Sequence, residues 1–312
     1  MILVTRGASF LGRTLTRRLM DFEQRVRLLL EPSRRTPLLP RGEALDVAVT
    51  SLTDMAGVRA AVIGADTLIH IGLSALEMRG DDAVEREQLA ADILAATAKE
   101  AGVGRLIFIG QIGADRASAY PSLRASAIAE EAFQRSGLAF VILRTSTLFG
   151  EGDLFTTGLA QAMAIAPLVF PIPGEGRIIL QPLWAEDLAT GVAWLLEEDR
   201  MQDVTYEIGG PEYLNLRDIL RLIMRETGIL RILAPIRPPY LRWMARLADA
   251  MLPYTPLTHH WLDYLAVSRT TDLNALPAAL GLAPARMEEH LGYLRNKHWA
   301  WEFLRRQRSG GA

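Results

Sequence analysis

The residues whose spacing most suggests chemistry lie near the start of the chain, where an apolar strand runs through a short turn into a helix, in MILVTRGASFLGRTLTRRL. Such a junction can cradle a phosphate, because unpaired backbone N–H groups and the helix dipole favour an anion there. The pattern typical of this cradle is G-x-x-G-x-x-G, and Gly12 fills its last position. Read without a gap, Arg6 and Ser9 occupy the first two glycine positions; read from Gly7, the turn is one residue short.

We therefore predict a phosphate-binding turn that leaves a pyrophosphate less room than a turn with three glycines, because close backbone approach depends on the missing glycines. Gly12 should still allow the helix to pack closely on the strand. The predicted cofactor contacts in this turn are Gly7, Ser9, Phe10, Leu11 and Gly12.

The segments that position this turn alternate between strand-like apolar runs and helical periodicity, which is typical of a parallel sheet with right-handed crossovers. We predict strands at residues 2–5, 26–30, 46–49, 67–71, 105–109 and 140–143, and helices at 10–20, 55–63, 83–100 and 125–135. From Gly150 onward glycine and proline are frequent, so a second, smaller region is predicted to begin there. The predicted fold class is α/β, a doubly wound parallel sheet with a smaller, mostly helical C-terminal lobe.

The amino-acid composition excludes several classes of function. The chain has 312 residues, of which 50% are hydrophobic, and its formal net charge of −2 gives no basic field for nucleic acid. It has no cysteine, which excludes disulfides, thiolate catalysis and cysteine-ligated metal sites. His259 and His260 are adjacent rather than four residues apart, so we predict no metal site. The most apolar stretch, residues 158–173, is broken by proline and no signal-peptide layout precedes the first strand, so we expect a cytoplasmic protein.

Six stretches of the sequence are similar to the atypical short-chain dehydrogenase/reductases. They are residues 4–13, 101–109, 123–138, 143–153, 170–188 and 206–211. Within that superfamily, which includes NAD-dependent epimerase/dehydratase and NmrA-like proteins, the chain most resembles the branch of the nucleotide-binding accessory subunit of respiratory complex I. The resemblance implies a Rossmann-type dinucleotide-binding domain at residues 1–150, to which 181–226 return, and a smaller substrate or partner lobe at 151–180 and 227–312. It also implies a place at the periphery of a membrane complex as an alternative location.

The resemblance implies three catalytic positions, and this sequence departs from the family at each. Active members use a tyrosine to exchange a proton, a lysine four residues later to lower the tyrosine pKa, and a serine after the fifth strand to orient the carbonyl. Aligned on Glu130, the lysine position is Ser126 and the tyrosine position is Ser122. The serine position is Gly110–Gln111. The catalytic residues are therefore unknown, and we expect no dehydrogenase turnover.

A slipped register offers a different catalytic pair. Tyr120 and Arg124 stand four residues apart, and an arginine could act as an electrostatic partner, although it stays protonated and cannot relay a proton as lysine does. The alternative, which we favour, is that Tyr120 is a loop aromatic that caps the pocket and Arg124 is a solvated helix residue.

The cofactor is expected to be NAD or NADP, bound weakly or not at all. Glu31 ends the second strand, where a carboxylate would hydrogen-bond the ribose hydroxyls and repel a 2′-phosphate, which favours NAD. Arg34 follows in EPSRR and could instead pair with that phosphate. The family usually has an acid before Leu52, and this chain has Ser51 there. The remaining predicted cofactor contacts are Ser51, Leu52, Ile71 and Gly72.

The C-terminal lobe carries a further pattern. Leu241, Met244, Leu247 and Met251 form an apolar helical stripe, and the last segment combines Trp299 and Trp301 with basic residues. These could form a surface for a membrane or a protein complex, or simply pack on their own lobe, which we favour.

Together these features predict an NAD(P)-binding scaffold, sensor or assembly factor without dehydrogenase turnover. One alternative is an active oxidoreductase or epimerase that uses Tyr120 on an unknown small molecule. Another is an interaction protein that binds no dinucleotide.

Overall fold

The computed structural model describes residues 1–33, 39–40, 42, 44–78, 82–197, 203–252 and 254–308. The strands within these ranges are β1 (Ile2–Thr5), β2 (Val26–Leu30), β3 (Leu45–Val49), β4 (Thr67–Ile71), β5 (Arg105–Gln111), β6 (Ala139–Thr145), β7 (Thr147–Phe149), β8 (Val169–Pro173), β9 (Ile179–Leu180), β10 (Pro182–Trp184), β11 (Val204–Ile208), β12 (Leu214–Asn215) and β13 (Ile232–Ile236). The helices are α1 (Phe10–Asp21), α2 (Met55–Val62), α3 (Ala83–Glu100), α4 (Pro121–Gln134), α5 (Thr156–Ile165), α6 (Ala185–Glu197), α7 (Leu216–Thr227), α8 (Pro238–Met251), α9 (His259–Leu265), α10 (Ala275–Leu280) and α11 (Trp299–Arg308).

Seven of the described strands form one parallel sheet in the order β11-β6-β5-β4-β1-β2-β3. The strand order reverses at β1, which pairs with both β2 and β4. Strands β1 and β4 are buried along their whole length, as expected for a parallel sheet covered by helices on both faces. The predicted doubly wound α/β fold is confirmed. Its ligand crevice should lie above the carboxyl ends of the strands, where the order reverses.

Two hydrophobic cores lie on opposite faces of this sheet, because successive side chains in a strand point to opposite sides. Ile2 and Val4 pack in the core that α1 and α6 cover. Leu3, between them, packs in the core of α2, α3 and α4. This alternation fixes the register of β1 and therefore the position of the turn that follows it.

Helix α4 begins at Pro121, four residues before the start that the sequence pattern predicts. Proline lacks an N–H and has a helix-like φ, so it suits the first turn of a helix, where the N–H would be unpaired anyway. The earlier start places Ser122 inside the helix rather than in the preceding loop.

A third core lies in the C-terminal part, where α5, α7, α9 and α11 pack around Phe149, Phe155 and Trp261. Short strand pairs brace it: β7 with β10, β9 with β12, and β8 with β13. Strand β11 instead pairs with β6 at the edge of the main sheet. Where the boundary between domain and lobe falls stays a prediction. In the part of the chain that the structure describes, no helix combines the length and the apolarity needed to cross a bilayer.

Candidate functional site

The turn between β1 and α1 adopts the ungapped form of the glycine pattern. Arg6 has a φ of +51°, the left-handed conformation that glycine would adopt most easily at the first position. Ser9 caps α1, with its Oγ accepting a hydrogen bond from the N–H of Gly12 at 3.0 Å. A Cβ on Gly12 would clash with the carbonyl oxygen of Arg6, so only glycine allows this close packing.

The first turn of α1 keeps two backbone donors for an anion. Among the described residues, the N–H groups of Phe10 and Leu11 meet no hydrogen-bond acceptor, whereas Ser9 Oγ already occupies that of Gly12. These two N–H groups lie at the positive end of the helix dipole. The turn can therefore donate two hydrogen bonds to a phosphate without any glycine at positions 6 and 9.

A cleft opens above the turn, at the carboxyl ends of β1, β4, β5 and β6. Five of the predicted cofactor residues line it: Ser9, Phe10, Leu11, Ile71 and Gly72. Its other walls include Glu77, Gln111, Thr145, Asp153 and Tyr264. The structure thus brings one end of the predicted dinucleotide path together in a single cavity at the reversal point of the sheet.

The other predicted cofactor residues lie outside this cavity. Glu31 is exposed at the end of β2, and the side chain of Leu52 is buried in the core beneath. Ser51 Oγ shares a 2.9 Å hydrogen bond with Thr53 Oγ1. Gly7 packs under the turn, where a Cβ would lie 2.7 Å from the side chain of Leu28. Arg34 lies outside the described residues.

A buried charge network supports the turn from below. The guanidinium of Arg6 pairs with Glu87 of α3, whose side chain is completely buried. Glu87 also accepts a hydrogen bond from the N–H of Leu73 at 3.1 Å. Burial opposes the charged carboxylate, but the charge of Arg6 and the neighbouring His70 outweigh it and lower the pKa of Glu87 to about 2. The guanidinium of Arg6 therefore pairs with Glu87 below the turn rather than with a ligand above it.

His70 belongs to the same network. Its Nδ1 lies 2.7 Å from Thr5 Oγ1, its Nε2 lies 3.4 Å from Glu87, and its ring stacks on Phe108. Burial lowers the pKa of His70 despite the carboxylate beside it. The histidine is a hydrogen-bonded core residue. Within the described ranges, no group of three or more histidine, aspartate or glutamate side chains could hold a metal ion.

The three positions that carry catalytic groups in the family hold small or amide side chains here. Ser122 and Ser126 of α4 are buried, and Ser126 Oγ accepts a hydrogen bond from the N–H of Gln111 at 3.3 Å. A Cβ on Gly110 would lie 2.7 Å from Ser126 Oγ, so a serine at 110 would not fit without movement. None of these residues offers the phenol and ammonium pair on which proton transfer in the family depends.

Tyr120 and Arg124 do not border the cleft cavity. Tyr120 immediately precedes α4, and Arg124 donates a hydrogen bond from Nη1 to the carbonyl oxygen of Ser118 at 2.9 Å. The geometry turns this guanidinium toward its own loop. A catalytic role for this pair stays a prediction.

Two cleft residues that the sequence patterns did not single out are Asp153 and Tyr264. Asp153 is buried and accepts hydrogen bonds from the N–H groups of Gly150 and Thr156 at 3.0 and 2.9 Å, so it fixes the start of α5. Burial raises its pKa despite these donors. Asp153 ends the family-like stretch 143–153, which is the signal that could have found it; Tyr264 lies in no such stretch.

Behind Tyr264 lies a buried cation. The guanidinium carbon of Arg269 is 4.1 Å from the Tyr264 ring centroid, and its side chain is almost fully enclosed. Nη1 donates to the carbonyl oxygen of Tyr264, whereas Nε and Nη2 meet no acceptor among the described residues. Burial lowers the pKa of Arg269.

Comparison with known proteins identifies the family of residues 7–161. The sequence from residue 7 to residue 161 matches the model of a family described as NAD(P)H-binding. Residues 7–161 belong to the NAD(P)H-binding family. The match spans the turn, the cleft and the start of the C-terminal lobe, so the cofactor class of this domain is a nicotinamide dinucleotide.

Relatives of known name fit the predicted superfamily. The chain is 26% identical over 219 residues to rat mitochondrial NADH dehydrogenase (ubiquinone) 1 alpha subcomplex subunit 9, an alignment that covers 68% of this chain and 56% of that subunit. It is 28% identical over 194 residues to the ceramide reductase of Caulobacter vibrioides, covering 61% of this chain and 58% of the reductase. The chain thus spans little more than half the length of these relatives. The predicted likeness to an atypical short-chain dehydrogenase/reductase is confirmed.

Solved structures show the same fold. The Citrobacter triphenylmethane reductase complexed with NADP(H) superposes with a TM-score of 0.72 at 16% identity, covering 94% of this chain and 99% of the reductase. The Thermotoga maritima UDP-glucose 4-epimerase superposes with a TM-score of 0.70 at 15% identity, covering 97% of this chain and 99% of the epimerase. At these identities the likeness shows the Rossmann-type fold alone.

Proposed function

We propose that this protein binds a nicotinamide dinucleotide as a structural or sensing ligand and does not turn it over by the proton chemistry of its superfamily. One observation carries the proposal: the cleft keeps free N–H donors at Phe10 and Leu11, while the catalytic positions hold Ser122, Ser126 and Gly110. The site therefore keeps the backbone donors that bind a cofactor phosphate but lacks the side chains that the superfamily uses for proton transfer.

Titration calorimetry of the full chain with NADH, NAD and NADPH tests the binding half of this proposal. Because the turn offers two backbone donors and Arg6 is paired with Glu87, we expect dissociation constants weaker than about 1 μM, which corresponds to about −8 kcal/mol. The carboxylate of Glu31 favours NAD(H) over NADPH. Tight NADPH binding would overturn both expectations, and no binding of any of the three would favour a pure interaction protein.

Incubation with NADH or NADPH and a panel of carbonyl compounds tests the catalytic half. We expect no change in absorbance of the reduced cofactor beyond the protein-free rate. A second candidate function, reduction of a lipid substrate, is favoured by the relative named ceramide reductase. The panel should therefore include long-chain ketones, and turnover that Tyr120→Phe abolishes would establish the reductase instead.

We further propose that the C-terminal lobe places the protein on an anionic membrane surface beside a membrane complex. The rat relative is named as a subunit of NADH dehydrogenase (ubiquinone), and α8 exposes Trp243, Met244 and Met251. Trp299 is not part of this exposed face. It is buried in the lobe core, with its indole N–H donating to the carbonyl oxygen of Leu294 at 3.1 Å. Trp301 is exposed.

A further inference from the structure

Where the C-terminal lobe meets the cofactor cleft, two polar side chains border the same space. Tyr264 of α9 comes from the lobe, and Gln111 ends strand β5 of the main sheet. The surface of the cleft is mainly apolar, with Leu76, Leu148 and Phe155 among its walls. A ligand group that enters here must therefore be largely apolar, and a few polar groups would set its orientation.

The side-chain amide of Gln111 has a fixed orientation. Its Nε2 donates a hydrogen bond to the carbonyl oxygen of Leu73 at 2.9 Å. Turning the amide over would place Oε1 against that carbonyl oxygen, and two acceptors repel each other. Oε1 is buried and meets no donor among the described residues. The wall of the cleft at Gln111 therefore contains an acceptor that lacks a partner.

Tyr264 supplies the complementary group, a hydrogen-bond donor. Its ring is held by the guanidinium of Arg269, 4.1 Å from the ring centroid, and packs against Phe155 with the centroids 6.2 Å apart. The phenol proton has no acceptor in the described part of the chain, since Thr147 Oγ1, the hydroxyl beside it, is itself without a partner. Burial raises the pKa of Tyr264, so the phenol stays protonated at neutral pH and can donate.

A donor and an acceptor on the walls of one apolar cleft match an amide. An amide oxygen can accept from the phenol of Tyr264, and an amide N–H can donate to Oε1 of Gln111. A ketone or a carboxylate can supply only the first of these hydrogen bonds. The acidic residues Glu77 and Asp153 line the cleft, and no lysine or arginine of the described residues does, which disfavours an anion. Because unpaired buried polar groups are unfavourable, a ligand that pairs both groups gains affinity from each.

We propose that Tyr264 and Gln111 form a binding site for a neutral amide group on an apolar or aromatic ligand. The phenol of Tyr264 donates to the amide oxygen, and Oε1 of Gln111 accepts from the amide N–H. The amide can be the carboxamide of the nicotinamide ring, in which case the inference rests on the proposed function, or it can belong to a second small molecule. Both residues bind and orient the amide, and neither transfers a proton.

Fluorine NMR titrations of the full chain with three aromatic probes of similar size test the two hydrogen bonds separately. The probe 4-fluorobenzamide has both the oxygen and the N–H, 4-fluoroacetophenone keeps only the oxygen, and 1-ethyl-4-fluorobenzene has neither. Each hydrogen bond should strengthen binding by about threefold to tenfold, so the wild type should bind the probes in that order.

Two variants assign the hydrogen bonds to their residues. Tyr264→Phe keeps the ring beside Arg269 but loses the phenol, so 4-fluoroacetophenone should lose its advantage over the hydrocarbon. Gln111→Met keeps the length of the side chain, and it should remove the advantage of 4-fluorobenzamide over 4-fluoroacetophenone. The matched control is Tyr240→Phe, an exposed residue of α8 outside the cleft, which should leave all three affinities unchanged. Because the probes are compared on the same protein, a general loss of stability would weaken all three alike.

Equal affinities of the wild type for the three probes, or tighter binding of 4-fluorobenzoate than of 4-fluorobenzamide, would overturn the proposal. Competition with NAD distinguishes the two sources of the amide. Displacement of 4-fluorobenzamide by NAD, but not by ADP-ribose, which lacks the nicotinamide, assigns the amide to the cofactor. A probe that stays bound beside saturating NAD assigns it to a second molecule. A protein that discriminates among the probes but binds no NAD contradicts the proposed function and supports the amide site.

Discussion

Arg6 shows how a single residue can replace a glycine in a turn that requires a left-handed conformation. Holding a non-glycine residue at positive φ costs about 1–2 kcal/mol. Breaking a buried ion pair by removing one partner costs about 3–5 kcal/mol, and Arg6 pairs with Glu87, whose side chain is fully buried. Removing Arg6 would therefore cost more than the relaxed backbone would gain. The ion pair between Arg6 and Glu87 holds the turn in the conformation that a glycine would adopt most easily.

This balance predicts the behaviour of Arg6→Gly. The variant gains a relaxed backbone but leaves the Glu87 carboxylate buried without its cation, so we expect the free energy of unfolding measured in urea at pH 7 to fall by about 1–4 kcal/mol. The double variant Arg6→Gly, Glu87→Gln removes the orphaned charge and should recover most of that loss. It should also bind NADH more tightly than the wild type in calorimetry. An Arg6→Gly protein as stable as the wild type would contradict this account.

His70 and Glu87 predict how stability depends on pH. Both folded-state pKa values are lowered, so each group stabilises the native state above its unfolded pKa and loses that contribution as pH falls toward its folded pKa. The loss from His70 should begin below about pH 6.5, and that from Glu87 below about pH 4.3, continuing toward pH 2. Urea midpoints of the wild type and His70→Asn between pH 7.5 and about 5 isolate the histidine, since other carboxylates titrate in both proteins. Parallel curves for the two proteins would show that His70 has no such role.

At the scale of the element, helix α4 decides whether the cleft can be made catalytic. Ser122 and Ser126 are buried, with Ser126 packed against Gly110. Larger side chains forced into such positions usually cost about 1–3 kcal/mol. We therefore expect Ser122→Tyr with Ser126→Lys to lower the urea midpoint and to give no carbonyl reduction with NADH or NADPH. The control Arg116→Gln, on the exposed loop before α4, should leave stability within about 0.5 kcal/mol. Turnover by the double variant would show that only these side chains were missing.

The elements also show what the sequence could and could not predict. Strands such as β2 and β4 are short, mostly apolar runs, and their predicted bounds are those of the structure. The start of α4 was missed because residues 121–124 lack an apolar repeat, and only the helix-favouring φ of Pro121 marks it. Ile71 and Gly72 line the cleft, and sequence can place them at this edge because the end of a strand is a local feature. Tyr264 closes the same cleft from more than a hundred residues away, and no local periodicity encodes that contact.

At the scale of the whole molecule, the C-terminal lobe divides its aromatic residues between core and surface. Trp299 and Phe303 of α11 are buried, whereas Trp301 between them is exposed. Helical periodicity identifies an apolar stripe but does not specify which side of the lobe will cover it. Because α11 contributes Trp299 to the lobe core, deleting the chain from Lys297 onward would remove structure as well as surface. Point substitutions on α8 are the cleaner probe of membrane attachment.

Helix α8 supplies that probe. Leu241 is buried, whereas Trp243, Met244 and Met251 are 66%, 43% and 72% exposed, and Arg246 lies on the same helix. An exposed aromatic and methionine face with basic neighbours is typical of a helix that lies in the membrane interface.

We expect the wild type to float with vesicles that contain anionic lipid, and less so as salt increases, because the charge attraction is screened. Trp243→Ser with Met251→Ser should reduce flotation severalfold without changing the Tm, since both side chains are exposed. The control replaces two exposed apolar residues outside α8 by serine, Ile63→Ser with Leu89→Ser. It should leave flotation unchanged. If the wild type stays in the lipid-free fraction at low salt, the face serves a partner protein or packs in an assembly, and the membrane proposal is wrong.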